Sequence, residues 1–424
     1  MIYKKDVLDN GLRVISVPME NANSFTVMVL VGTGSKYETK HINGISHFLE
    51  HMFFKGTKKR SNTLKISETL DMVGGEYNAF TSKEVTGFYA KVAKQHADTA
   101  LDWIFDIFLN SKFDGEEMER EKGVIVEELN MYLDTPTAYV GELFEKLLYG
   151  DQPAGWRIIG EKENIWNFSR EELIKYYQSH YSPQNTIVCM AGAFDAKETE
   201  SKVKSYFEGI KNGPKSIKEK VQESQSGSNV LLFSKKTDQT HLCLGTRTYG
   251  VYDKRRYALA LMSIILGGNM SSRLFIKVRE RNGLAYSIHT SNEHTTDTGY
   301  LVTQAGINHK NLETVVEIIL QEYKSLKEDR ILPKELQKAK DYLKGITLLS
   351  LDSSDSIASY YATQEILERD ILTPEEKFKL IDKVTAEDIK KIAGEIFVEN
   401  KLNLSAIGPF EKNDEKTIKE LLKL

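Results

Sequence analysis

The sequence predicts an α+β fold of two related domains, each a largely antiparallel sheet with helices packed on one side. Three observations predict it: an internal repeat, a polar stretch between its copies, and strand-like runs that come in pairs before runs of helix.

The repeat decides the architecture. Residues 74–82 (GGEYNAFTS) align with residues 283–291 (GLAYSIHTS) at an offset of 209, which is 283 minus 74, sharing Gly, Tyr, Thr and Ser. A second match sets Ser169-Arg-Glu-Glu172 against Thr385-Ala-Glu-Asp388 at an offset of 216, which is 385 minus 169. Both are helix starts, because a hydroxyl can cap a free backbone N–H and an acid three residues on can return the bond. At the same offset, residues 186–195 (TIVCMAGAFD) face residues 402–411 (LNLSAIGPFE), an apolar strand ending in Gly and then Phe. Two halves of roughly 210 residues follow.

Between them, residues 211–229 carry Gly, Pro and Ser with few apolar side chains, the composition of a linker. The expected division is a first domain over 1–212, a linker over 213–228 and a second domain over 229–424. Within the halves, runs such as Phe25–Val31 and Gly87–Val92 read as strands and Ala97–Leu109 as an amphipathic helix.

Composition narrows the function. The chain has 424 residues, more than one ordinary domain, and its 40% hydrophobic content can fill sizeable cores without any apolar run long enough for a membrane span. Its 57 basic and 61 acidic residues nearly balance, so neither a nucleic acid nor a membrane is expected as a partner. Cys189 and Cys243 both lie in apolar strand-like runs and read as buried free thiols. The N-terminal residues lack the basic head and apolar core of a secretory signal, and a cytoplasmic location is expected.

The chemistry concentrates in His47-Phe48-Leu49-Glu50-His51. On a helix over 45–54, His47 and His51 are i and i+4 and share a face, so both imidazoles can reach one ion. Glu50 stands beside that pair, placed to act as a base on water. The neighbours Ile45, Phe48, Leu49, Met52, Phe53 and Phe54 are apolar, and burying the three ionisable groups unpaired among them would be costly. With nine His in the chain, this pattern arises by chance in about one such sequence per hundred. Hydrolytic zinc takes three protein ligands and keeps a position open, so a third ligand is needed. The acidic helix over 116–130 offers Glu121 and Glu128, seven residues and two turns apart; spacing alone does not separate Glu127 from Glu128.

His47-x-x-Glu50-His51, followed after 76 residues by Glu128, closely resembles the pitrilysin family of metallopeptidases, to which insulin-degrading enzyme and the mitochondrial processing peptidase belong. The resemblance runs along essentially the whole chain and implies a processing-peptidase-like pair of domains. It implies that His47, His51 and Glu128 hold one Zn2+ per chain, that Glu50 is the general base, and that Glu121 orients the site from behind the ligands. Asn78, Ala79 and Phe80 match the family's edge strand, which binds an extended peptide by its backbone. Arg279 and Tyr286 match a pair that holds the substrate and stabilises the tetrahedral oxyanion. Family members of this half-size pair as a clamshell, which implies a homodimer, with a paralogous heterodimer as the alternative, acting on short or unfolded peptides in an enclosed chamber. The rival within the family is an inactive scaffold or processing subunit. A lyase on a related half-fold shares the short motif, but it has one short domain and no counterpart of this repeat or of the distal Glu.

Overall fold

The computed structural model describes residues 3–424 apart from 211, 214, 215 and 369. In chain order the first half gives β1 (Lys4–Val7), β2 (Arg13–Pro18), β3 (Ser24–Val31), α1 (Ile45–Met52), α2 (Thr63–Asp71), β4 (Glu76–Thr81), β5 (Thr86–Ala93), α3 (Ala97–Asn110), α4 (Gly115–Asp134), α5 (Pro136–Tyr149), α6 (Lys162–Asn167), α7 (Arg170–His180), β6 (Thr186–Gly192) and α8 (Ala196–Phe207). The second half gives β7 (Asn229–Ser234), β8 (Thr240–Thr248), α9 (Arg256–Gly267), a π-helical stretch (Phe275–Arg281), β9 (Ala285–His294), β10 (Gly299–Ile307), α10 (Leu312–Glu328), α11 (Pro333–Ser350), α12 (Ser354–Thr363), α13 (Pro374–Asp382), α14 (Ala386–Ile396), β11 (Asn403–Gly408) and α15 (Asp414–Leu421). Of the linker expected over 213–228, residues 214 and 215 lie outside the described residues, and the others form neither helix nor strand.

The first compact unit comprises the described residues of Met1–Leu129, Trp156–Glu219 and Leu348–Thr373. Its sheet has the order β1-β2-β6-β3-β5-β4, antiparallel at every junction except the parallel pair β2/β6. β3 is apolar on both faces, and all of it beyond Ser24 is buried. A strand of that kind needs cover on two sides. On one face Phe88 of β5 meets Phe53, just past α1, at 4.7 Å between ring centroids, and Phe108 of α3 at 6.1 Å. On the other, Met28, Leu30, Ile15, Val17, Ile187 and Cys189 pack against Ile357, Ala358 and Tyr361 of α12.

The second unit comprises Asn130–Gly155, Lys220–Thr347 and Pro374–Leu424. Its sheet runs β7-β11-β8-β10-β9, again with one parallel pair, β7/β11. The repeat is therefore topological: β2, β6, β3, β5 and β4 have their counterparts in β7, β11, β8, β10 and β9. α9, α10 and α14 share a core with one face, and α5 packs its Val140, Leu143 and Phe144 against Cys243, Val302 and Ile407 on the other. Both helix starts in the repeat carry complete capping boxes, Ser169 with Glu172 and Thr385 with Asp388. Most helices gather on one face of each sheet, as the sequence predicts. The remaining face is covered by a helix from the opposite half of the chain, α12 on the first sheet and α5 on the second. Cys189 and Cys243 are buried and free.

Candidate metal centre and peptide-binding edge

α1 is eight residues long and its N-cap, Gly44, has no side chain to cap it, so its first N–H groups must be satisfied from elsewhere. Gly44 precedes it with φ 102°, and a Cβ there would stand 2.5 Å from the Ile159 carbonyl oxygen, so only glycine fits. The buried carboxylate of Glu38 accepts from the backbone N–H of Gly44 and of Ser46, both at 2.8 Å, and from Asn43 Nδ2 at 2.9 Å. Burial pushes the Glu38 carboxyl up from the usual range, while these donors pull it back. With Ile45, Phe48, Leu49 and Met52 buried, the helix turns His47, Glu50 and His51 away from the core.

The His47 and His51 rings lie 4.7 Å apart. α4 brings its two acids against them: Glu128 Oε2 is 3.7 Å from His47 Nε2 and 3.4 Å from His51 Nε2, while Glu121 Oε1 is 2.8 Å from His51 Nδ1. Glu121 Oε2 also takes Lys55 Nζ at 2.5 Å. Glu127 is exposed, so geometry separates the two adjacent acids where spacing did not.

These residues fit a zinc ion. One ligand atom each from His47, His51 and Glu128 can be chosen so that all lie within 4.8 Å of one another, the one such group of three among the described residues. Ligands about 2.0–2.1 Å from a tetrahedral ion sit roughly 3.3 Å apart, close to the two nitrogen-to-carboxylate distances here. Among the described residues, the buried His47 Nδ1 finds no hydrogen-bond partner. The two imidazoles beside Glu128 hold its carboxyl well below the usual carboxylate range. Burial works against a charged His51, yet Glu121 and Glu128 outweigh it and push its pKa up to about 9.

Glu50 stands apart from the ligand atoms. Its Oε2 accepts from the hydroxyl of Thr81, at the end of β4, at 2.5 Å. Burial raises its carboxyl above the usual range against the opposing pull of Thr81 and the two histidines.

β4 is an edge strand paired only with β5. Its residues alternate. Ala79 is opposite Phe88 and shares the face that carries Glu50, with Thr81 two residues on; Asn78 and Phe80, opposite Tyr89 and Gly87, point to the α12 face. The Ala79 N–H is held by its neighbour's side chain, Asn78 Oδ1, at 2.9 Å. Beside Phe80 a groove of about 460 Å³ is lined by Met28, Tyr89, Leu351, Asp355 and Tyr360.

Arg279 and Tyr286 lie in the second unit. Gly283, with φ 60°, ends the π-helical stretch and turns the chain into β9, the edge strand of that sheet. Arg279 Nη1 donates to the Tyr286 carbonyl oxygen at 2.7 Å, and its guanidinium lies 4.8 Å from the Tyr286 ring and 4.9 Å from that of Phe275. Tyr286 is left 78% exposed.

The structure thus gathers His47, His51, Glu128, Glu121 and Glu50 at one place, with Asn78, Ala79 and Phe80 on the strand that also ends at Glu50. Sequence reasoning missed three neighbours: Thr81, Lys55 and Glu38. Thr81 lay inside the repeated segment and carried a signal; Glu38 and Lys55 carried none, because their partners are set by the fold.

The chain is similar to known proteins over nearly its whole length. A family model described as insulinase (peptidase family M16) matches residues 13–162, and one described as peptidase M16 inactive domain matches residues 167–343. An uncharacterized zinc protease, YmxG, of Bacillus subtilis is 37% identical over 403 residues, 94% of this chain and 97% of the relative. The crystal structure of a protease from Helicobacter pylori superposes with a TM-score of 0.89 at 25% identity, covering 96% of this chain and 99% of that one. A peptidase M16 inactive domain from Pseudomonas fluorescens shares the fold, with a TM-score of 0.88 at 17% identity over 97% of this chain and 99% of its own.

Proposed function

The chain belongs to peptidase family M16, and from that premise we propose that it is a zinc-dependent endopeptidase that hydrolyses short or unfolded peptides. The observation that carries this reading is the convergence of His47, His51 and Glu128 on one point with Glu50 beside them, all in one chain. His47, His51 and Glu128 would hold the ion. Bound zinc supplies a Lewis acid that polarises the scissile carbonyl and lowers the pKa of water toward about 7.

The chain's own residues do the rest. Glu50 takes a proton from the attacking water and delivers it to the leaving amine nitrogen, a role that suits a carboxyl raised by burial. Glu121 holds His51 by Nδ1 and so presents Nε2 to the ion. β4 aligns the peptide by backbone pairing, which tolerates many sequences, while the groove beside Phe80 receives alternate side chains. Arg279 and Tyr286 are read as the groups that hold the substrate and stabilise the oxyanion, contributed by a second copy of the chain in a homodimer, or by a paralogue. Support for this last assignment is the family resemblance and the exposure of Tyr286.

The inactive-scaffold reading finds little footing in the name of the second family model. That model falls on residues 167–343, which contain no His-x-x-Glu-His, and not on the half that carries the motif.

The deciding experiment is metal analysis of the purified protein together with digestion of a mixed peptide library, with and without a chelator. One zinc per chain and chelator-sensitive cleavage are expected; no cleavage by zinc-loaded protein would sink the proposal. Glu50→Gln should keep its zinc and lose turnover on the order of 10²–10⁴-fold.

A further inference from the structure

We infer that Thr81 is a positioning residue: its hydroxyl fixes the Glu50 carboxylate in the orientation that a peptide docked on β4 requires. The inference rests on the peptidase reading and adds a residue that the zinc motif and the edge-strand motif leave unassigned.

The geometry is specific. A glutamate on a helix turns about three side-chain bonds, and a base must present one oxygen to the proton it takes. Thr81 Oγ1 donates to Glu50 Oε2 at 2.5 Å, which occupies one carboxylate oxygen and leaves Oε1 to accept the proton. Hydrogen bonds to a carboxylate are of the stronger, charge-assisted kind, so this one can outweigh the rotational freedom it removes. Threonine is stiff at χ1 because it is branched at Cβ, and Thr81 is paired in register with Thr86 of β5. Thr86 in turn donates to the Thr33 carbonyl oxygen at 3.1 Å and is fully buried. The donor that aims Glu50 is therefore paired with a residue that is itself buried and anchored.

That strand is β4. A peptide added to its edge takes its register from residues 76–81, and the base takes its orientation from residue 81 of the same strand. Peptide backbone and base are aligned by one element, so an error in the strand would displace both together rather than one against the other. Such alignment contributes to the chemical step more than to binding, because it matters only when the proton moves.

The test compares Thr81→Val, Thr81→Ser and the wild type, each zinc-loaded with its zinc content measured, on a quenched-fluorescent peptide from the library. Valine keeps shape and branching and deletes the donor; serine keeps the donor. Thr81→Val should lower kcat on the order of 10–100-fold with KM within about twofold, and Thr81→Ser should recover to within roughly threefold of wild type. In a Glu50→Gln background, Thr81→Val should add no further loss, since the group it aims is already disabled. Wild-type kcat in Thr81→Val, a loss confined to KM, or equal damage from serine and valine would each overturn the positioning role while leaving the peptidase reading intact. A zinc-loaded wild type that cleaves no peptide would overturn both.

Discussion

Glu121 Oε1 lies 2.8 Å from Nδ1 of His51, so the ring's other nitrogen, Nε2, is the one that faces Glu128 at 3.4 Å. An imidazole held at one nitrogen by a carboxylate is fixed in tautomer and in direction, and its free nitrogen becomes a better ligand. Glu121→Gln keeps the size of the side chain but loses the charge that also pairs with Lys55. Zinc affinity should fall on the order of 10–100-fold, measured by competition against a chelator of known affinity, with the fold unchanged by circular dichroism. Unchanged affinity would remove Glu121 from the site.

Adjacent acids give an internal control. Glu128 lies against both histidines, whereas Glu127 is exposed. Glu128→Gln should leave the purified protein with little zinc and no measurable chelator-sensitive cleavage. Glu127→Gln should match wild type in both. Equal effects would mean that α4 is misassigned as the source of the third ligand.

The edge strand can be tested without touching the metal. The Ala79 N–H is occupied by Asn78 Oδ1, so it is not committed to the β5 ladder and is available to a peptide carbonyl once the side chain moves. Proline is tolerated on a sheet edge where the lost N–H faces outward. Ala79→Pro should therefore fold and keep zinc, while KM for library peptides rises about tenfold, the loss of roughly 1.4 kcal/mol expected for one well-made hydrogen bond. An unchanged KM would argue that peptides do not pair at residue 79.

Much of this was legible because the signals were local or periodic. The His47 to His51 spacing fixed a shared helix face, the capping boxes at Ser169 and Thr385 marked two helix starts, and the repeat foretold two sheets of matching topology. The exchange of α5 and α12 was not read, although its cause was visible. Residues 25–31 and 186–192 are apolar without alternation, as strands buried on both faces are, and the helices of one half cover only one face. What supplies the second cover is a matter of chain path, which no local pattern encodes. Glu38 escaped although its partners at residues 43–46 are near in sequence: every helix start leaves N–H groups unpaired, but that this one is enclosed and takes a buried carboxylate is set by the fold.

The most consequential prediction concerns the assembly. Glu50 and the pair Arg279 and Tyr286 are assigned to one reaction, and the proposal places them on different copies of the chain. A chain carrying Glu50→Gln would then lack the base but retain an intact Arg279 and Tyr286. A chain carrying Tyr286→Phe would keep the base and lose the phenolic hydroxyl that stabilises the oxyanion, a change worth about 10²–10³-fold in turnover by analogy with other oxyanion donors. Each alone should be nearly inactive. When the two are dissociated, mixed and reassociated, half of the dimers formed by random pairing are mixed, and each mixed dimer holds one site with both groups intact and one with neither. Activity should recover to about a quarter of wild type, the half of dimers that are mixed times the one of two sites restored. The same mixture left unexchanged is the control and should stay inactive. No recovery, in a sample shown by mass spectrometry to contain mixed dimers, would sink the trans arrangement and leave Tyr286 to act within its own chain or not at all.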